Sequence, residues 1–215
     1  MADDKGLRVS VTLGSEGVGA AAKLVRFSYL TAFQPRMNKE SGKLEYSVAV
    51  LIPKTNQKDV EAVKSAIDEL IKDEWTNKRK PLPPKFWNPL RDGDKDTKQD
   101  GRPLGEECRG HYVINVKAVA TDAEGNPKAP PRVVGTQRNA QGKLLDLGPR
   151  DVKSGDFGRI SMNLGAYTKG TGGVGAYIVN IQKVREGDPL SGGRSAEDDF
   201  GSFDDDDGFD DPMLN

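Results

Sequence analysis

Hydrophobic and polar positions alternate through most of the chain. In "VRFSYLTAF", Val25, Phe27, Tyr29 and Phe33 share one phase of a two-residue period, and Arg26, Ser28 and Ala32 share the other, which predicts a half-buried strand. After the turn residues of "QPRMNKESGK", "LEYSVAVLI" repeats the pattern with Leu44, Tyr46, Val48, Val50 and Ile52 inward. The pair predicts a hairpin with a long, basic loop carrying Arg36, Lys39 and Lys43. The period then changes. Pro53 stops the strand, Thr55 or Asn56 can cap a helix, and Val60, Val63, Ile67, Leu70, Ile71 and Trp75 recur at helical spacing, with Asp59 and Glu61 suited to the helix start. The apolar stripe predicts that this helix packs on a sheet and that Trp75 belongs to the core.

Alternation returns in "HYVINVKAVA", with Tyr112, Ile114, Val116 and Ala118 on one face. "PRVVGTQ" and "KLLDL" read as short strands around a turn. "DFGRISMNLGAY" and "GAYIVNIQKV" form a second long hairpin, in which Ile160, Met162 and Leu164 oppose Arg159, Ser161, Asn163 and Tyr167. Five or more strands in antiparallel hairpins, one helix between the second and third, and no strand–helix repeat predict a mainly β protein: a small, partly open Greek-key barrel. Residues 21–186 make the domain, residues 1–20 a flexible N-terminal segment, and residues 187–215 a tail.

That tail changes the reading of the charge. The 215 residues carry a net charge of −1, yet from Gly187 onward ten acids face one base, Arg194, so the tail holds −9 and residues 1–186 hold +8. Such a segment has too few apolar groups to offset the entropy of ordering, so disorder is its expected state. A basic body with an acidic arm points to polyanionic and basic partners. No stretch reaches the roughly 18 apolar residues of a membrane span, and the N-terminus lacks a signal-peptide plan, which predicts a cytoplasmic protein without a membrane partner. One cysteine and one histidine exclude an internal disulfide and a Cys/His zinc site.

Three motifs invite catalytic or cofactor readings. "GTGGVG" (Gly170–Gly175) satisfies G-x-G-x-x-G, but a strand pattern follows where a dinucleotide site needs a helix, so it reads as a flexible hairpin tip. Asp92, Asp94 and Asp96 alternate like calcium ligands, yet Thr97 and Pro103 stand where the loop needs Gly and Glu, which favours a solvated turn. Cys108 and His111 lack a third partner and a glycine elbow. The expectation is a protein that is not an enzyme, without cofactor or metal.

The informative pattern is cations interleaved with aromatics. "KRKPLPPKFW" supplies Lys78, Arg79, Lys80, Lys85, Phe86 and Trp87, with Arg91 beyond, inside a long proline-rich segment. Single-stranded nucleic acid needs this combination, cations for phosphates and aromatic faces for unpaired bases. Arg159 and Tyr167 repeat the pairing on a strand face. Tyr29 and Phe33 either line the same groove or fill the core, and Phe86 and Trp87 either stack on bases or anchor the loop. A flexible acidic arm could occupy such a groove and yield to a longer polyanion.

In this order of parts, "RFSYLTAFQP", "YSVAVLIPK", the helix, "KPLPP", "RDGD" and "SGDFGRISMNLGAYTKGTGGVGAYIVNIQKV" before an Asp/Phe tail, the chain resembles the bacteriophage single-stranded DNA-binding proteins over residues 20–211. The resemblance implies an OB-fold barrel that coats and protects single-stranded DNA during phage replication and recombination, through Lys78, Arg79, Lys80, Phe86, Trp87, Arg159 and Tyr167. It also implies a tail that recruits replication proteins, here through Phe203, Asp204, Asp205, Asp206, Asp207 and Phe209. Such tails often finish on an aromatic residue, whereas this one finishes Pro212, Met213, Leu214, Asn215, which leaves Phe209 as the substitute. Homo-oligomerisation is left open. The alternatives are a structural or chaperone-like phage protein that binds other proteins, and a metal-dependent nuclease built on Asp92, Asp94 and Asp96.

Overall fold

The computed structural model describes residues 6–17, 19, 22–39, 41–98 and 100–190. The tail residues Phe203, Asp204 to Asp207 and Phe209 lie outside the described residues. Nine strands are present among the described residues: β1 (Arg8–Leu13), β2 (Val25–Asn38), β3 (Lys43–Pro53), β4 (Leu90–Asp92), β5 (His111–Val119), β6 (Arg132–Arg138), β7 (Leu144–Asp146), β8 (Phe157–Tyr167) and β9 (Gly173–Arg185). Helix α1 (Gln57–Ile71) lies between β3 and β5 and runs into a π turn over Lys72–Thr76.

Five strands close a ring. β2 pairs with β3, β3 with β5, β5 with β9, β9 with β8, and β8 returns to β2, the closed order of an OB-like barrel. One seam is parallel rather than antiparallel: β5 meets β9 through Lys117 opposite Tyr177. Alternation cannot reveal this, because it reports which face is buried and not strand direction. Inward side chains from all five strands, among them Phe27, Val50, Ile114, Met162 and Ile181, fill the ring. Val60, Val63, Ile67 and Leu70 of α1 join the same core, and Asn56 caps the helix by accepting from the Asp59 N–H at 3.4 Å.

Three expectations need correction. Residues Arg8–Leu13, expected in a flexible segment, form β1 on the edge of β8 and bury Val11 and Leu13. Val9, Val11 and Leu13 alternate with Arg8, Ser10 and Thr12, so the strand signal is present in the run itself, and the glycine and polar residues on either side mask it. In β2 the predicted phase fails after Phe27. Tyr29 has φ +48 and is 68% exposed, a register shift separates Ser28 from Thr31, and Ala32 is buried instead. This bulge adds a residue and swaps the faces of the strand beyond it. The proline-rich segment also gains structure, since β4 pairs with β5 and Trp87 bridges Gly173.

The chain stays on the body past Glu186. Gly187 N–H donates to Asp156 Oδ1 at 3.2 Å, Arg26 Nη2 donates to the Asp188 carbonyl at 2.9 Å, and Leu190, like Leu104, packs against the small cluster of Ala49, Leu51, Cys108 and Val113. No helix among the described residues is long and apolar enough to cross a membrane.

Candidate nucleic-acid interface

Two clefts meet on one side of the ring. The first, of about 430 Å³, is lined by Tyr29, Arg36, Asn38, Glu45, Asn115 and Lys117 among others. The second, of about 620 Å³, shares Asn38, Asn115 and Lys117 and adds Trp87, Tyr167 and Tyr177. The shared residues make the two one continuous surface, with aromatic rings at Tyr29, Trp87, Tyr167 and Tyr177 and cations at Arg36 and Lys117.

Each ring is positioned for a local reason. The bulge turns Tyr29 out of the barrel, and the Glu107 carboxylate beside it raises its phenol above the usual range. Trp87 is held by its backbone: its N–H donates to the Gly172 carbonyl at 3.0 Å and its carbonyl accepts from Val174 N–H at 3.0 Å. The residue is 40% exposed, with the Arg91 guanidinium over the ring at 5.5 Å. Arg91 is fixed in turn by Asp96 Oδ2 at 3.1 Å and the Thr97 carbonyl at 2.7 Å. Tyr177 lies across the backbone of Gly175, where a Cβ would meet its hydroxyl at 2.7 Å, and the Arg8 guanidinium sits 5.3 Å from its ring centroid. Lys117 is 3.1 Å from Glu45 Oε1, so a buried carboxylate underlies the cleft's central cation.

The structure brings together Trp87, Tyr167, Arg91 and Arg36, and separates other residues that the sequence groups with them. Phe86 sits edge-on to Trp75, ring centroids 5.4 Å apart, and packs on the core. Lys78 and Lys80 both grip the Glu74 carboxylate, Lys80 at 2.7 Å, and their ammonium groups hold that carboxyl below its usual range. Arg79, in the left-handed region at φ +54, and Lys85 are exposed on the same segment. Lys39 is exposed at the end of β2. Arg159 lies on the outer face of β8, its Nε donating to the Gly14 carbonyl at 3.1 Å.

Sequence reasoning missed Tyr177, Lys117 and Arg8. Tyr177 and Lys117 share the parallel seam, so nothing local in either strand pairs them. Asp92 and Asp94, weighed as metal ligands, both bind Lys54 Nζ, at 2.5 and 2.7 Å, and Asp96 accepts from Asp92 N–H at 2.7 Å. Asp92 and Asp94 tie the loop to the residue that follows β3, and Asp96 braces the loop on itself through Arg91 and the Asp92 N–H. Among the described residues no group of three or more His, Cys, Asp or Glu side chains is arranged to hold a metal ion.

The fold has solved counterparts. The single-stranded DNA-binding protein from bacteriophage Enc34, in complex with ssDNA, superposes with a TM-score of 0.59 at 20% identity, covering 79% of this chain and 87% of that one. A C-terminal truncation of the Enc34 protein gives 0.58 at 18% identity over 79% of this chain and 86% of that one. Gp2.5, a single-stranded DNA-binding protein encoded by bacteriophage T7, gives 0.53 at 15% identity over 92% of this chain and 97% of that one. No curated protein matches the sequence. At these identities the superpositions establish the fold, and the family follows from the sequence itself: the model of the ssDNA-binding protein of Enterobacter phage Enc34 matches residues 19–210, and the chain belongs to that family.

Proposed function

We propose that this chain binds single-stranded DNA without sequence preference, along the surface that joins Tyr29, Lys117, Trp87 and Tyr177. The observation that carries the reading is the continuity of the two clefts through Asn38, Asn115 and Lys117. Aromatic faces accept any base, and cations follow any phosphate backbone, so affinity comes without base readout. A duplex hides its base faces and gains only the charge contribution. The family membership supports the same reading.

The work is binding and protection rather than bond cleavage, with Asp92, Asp94 and Asp96 engaged in holding the loop. The acidic C-terminal segment beyond Leu190, nine acids against Arg194 and so −8, competes with DNA for the basic cleft and, once displaced, presents Phe203, Phe209 and Asp204 to Asp207 to basic replication proteins. Coating and partner recruitment during phage DNA replication and recombination are thereby coupled.

The test is an anisotropy titration of labelled oligo-dT and a matched duplex at two salt concentrations, with the full chain and with a chain ending at Leu190. Leu190 is the correct end, because residues 187–190 pack on the body. Preference for the single strand, steep weakening with salt and tighter binding after truncation are expected. Equal, weak binding to both DNAs would overturn the reading.

A further inference from the structure

The outer face of β1, β8 and β9 runs on from the cleft. Directly opposed residues of antiparallel strands project to the same side, so the register defines rows. From the cleft outward, Tyr167 opposes Gly173, and Gly165 lies between Arg8 and Gly175. Asn163 then lies between Ser10 and Tyr177, and Ser161 between Thr12 and Asn180. Arg159 closes the series opposite Gln182. At ~3.3 Å per residue the run from Tyr167 to Arg159 is ~26 Å long.

Three features set this face apart from an ordinary solvated sheet. None of its row residues is acidic, and the neutral ones are amides, hydroxyls, glycines and tyrosines. A register shift between Ser161 and Met162 of β8 leaves Val179 of β9 as the extra residue, so that Val179 and Asn180 both face out while Ile178 and Ile181 stay buried. At the far end a second depression, of about 360 Å³, is lined by Thr12, Ser161, Asn180 and Gln182, with Arg132 and Arg159 beside them. Arg132 reaches it from β6, its Nε on Asp146 Oδ1 at 2.6 Å and its side chain 51% exposed.

The face is joined to the cleft through Tyr177, which lines the cleft and stands in the Asn163 row beneath the Arg8 guanidinium. We infer that a single strand held in the cleft continues across this face and makes its last protein contacts at Arg132 and Arg159. The inference rests on the proposed single-strand binding. Arginines give bidentate grips on phosphate, and the amides and hydroxyls supply neutral donors and acceptors along the path. An acidic protein surface would also be drawn to the two arginines, but it would not be continuous with the aromatic cleft.

The experiment compares oligo-dT of roughly 6 nucleotides, enough for the cleft, with one of roughly 16, enough for cleft and outer face. The full chain carries Arg132→Gln with Asn180→Asp, both outside the cleft. Binding of the short oligonucleotide should stay within roughly twofold, while the long one weakens roughly tenfold and its log K against log salt flattens by about 0.7 for each phosphate no longer gripped. Light scattering checks that one protomer binds per long oligonucleotide. Thr12→Lys, which adds a cation to the same face, should tighten the long oligonucleotide alone, and it tests the path if the double variant folds poorly. Equal weakening on both lengths, unchanged binding of the long one, or two protomers on it would overturn the inference. Failure of the unmodified chain to bind the short oligonucleotide would instead remove the reading on which it rests.

Discussion

Trp87 is seated on Gly173: a Cβ at that glycine would lie 2.5 Å from the Trp87 carbonyl oxygen and 2.9 Å from its nitrogen. The close approach lets the backbone of the proline-rich segment join the start of β9, and so fixes where the indole points. Gly173→Ala is expected to push Trp87 off this seat. The cost in stability should be about 1 kcal/mol, the usual scale for a single substitution. Single-strand affinity should fall by the ~1–3 kcal/mol of one stacked base. Thermal melting and an oligo-dT titration of the same variant separate the two effects.

Phe86 and Trp87 are neighbours in sequence with opposite surroundings. Phe86→Ala removes an edge-on partner of Trp75 beside α1, and a loss of ~2 kcal/mol is expected, below that of a fully buried aromatic because Phe86 is half-buried. Trp87→Ala removes a ring from a residue 40% exposed, with the Arg91 guanidinium over it, and leaves the backbone seat on Gly173 in place, so melting should hold while single-strand binding falls by ~1–3 kcal/mol. A Trp87→Ala protein that melts far below the parent, or binds equally well, would assign the indole to packing instead.

The alternation of Ile160, Met162 and Leu164 against Arg159, Ser161 and Asn163 placed β8 and its faces correctly, because a long strand has many residues to average over. The helix was equally legible, from spacing and the Asn56 cap. The β2 bulge was not, since Tyr29 adopts a positive φ that no turn residue announces. The cleft was legible only in part. Trp87, Tyr167 and Arg36 carry their chemistry locally, whereas Tyr177 and Lys117 meet across a parallel seam about sixty residues apart in sequence, a separation that alternation does not bridge.

Asp156 is fully buried where the barrel meets the root of the tail. Burial alone would raise its carboxyl. The Lys153 N–H at 3.0 Å and the Lys153 and Lys183 ammonium groups, each at 3.1 Å, outweigh that and hold it below its ordinary 3.8. A depressed folded-state value means that the stabilisation is present above the unfolded value and is lost as pH falls through the folded one. Asp156→Asn should therefore lower stability at neutral pH, by about 3 kcal/mol for a broken buried pair. The gap between variant and parent should narrow as pH falls below 3.8. Urea unfolding of both proteins at neutral and acid pH measures it, and a gap independent of pH would assign the cost to packing alone.

Glu45 and Lys117 make a separable prediction about DNA. Lys117 stands 40% exposed in the cleft above a carboxylate only 6% exposed, which also accepts from Asn38 Nδ2 at 2.7 Å and Ser41 Oγ at 3.2 Å. The pairing offsets part of the charge that Lys117 offers a phosphate. Glu45→Gln keeps an acceptor for Asn38 and releases that charge, so single-strand binding should tighten a few fold, the scale of a partly exposed ion pair. Lys117→Met should do more than remove one phosphate grip, because it leaves the carboxylate facing the DNA without its cation. The single variant and the Lys117→Met, Glu45→Gln double variant should then share a salt slope reduced by about 0.7, the value of one phosphate neutralised. The double variant should nevertheless bind more tightly at every salt concentration, because the repulsion is gone. Identical affinities for the two would show that Glu45 is screened from the strand.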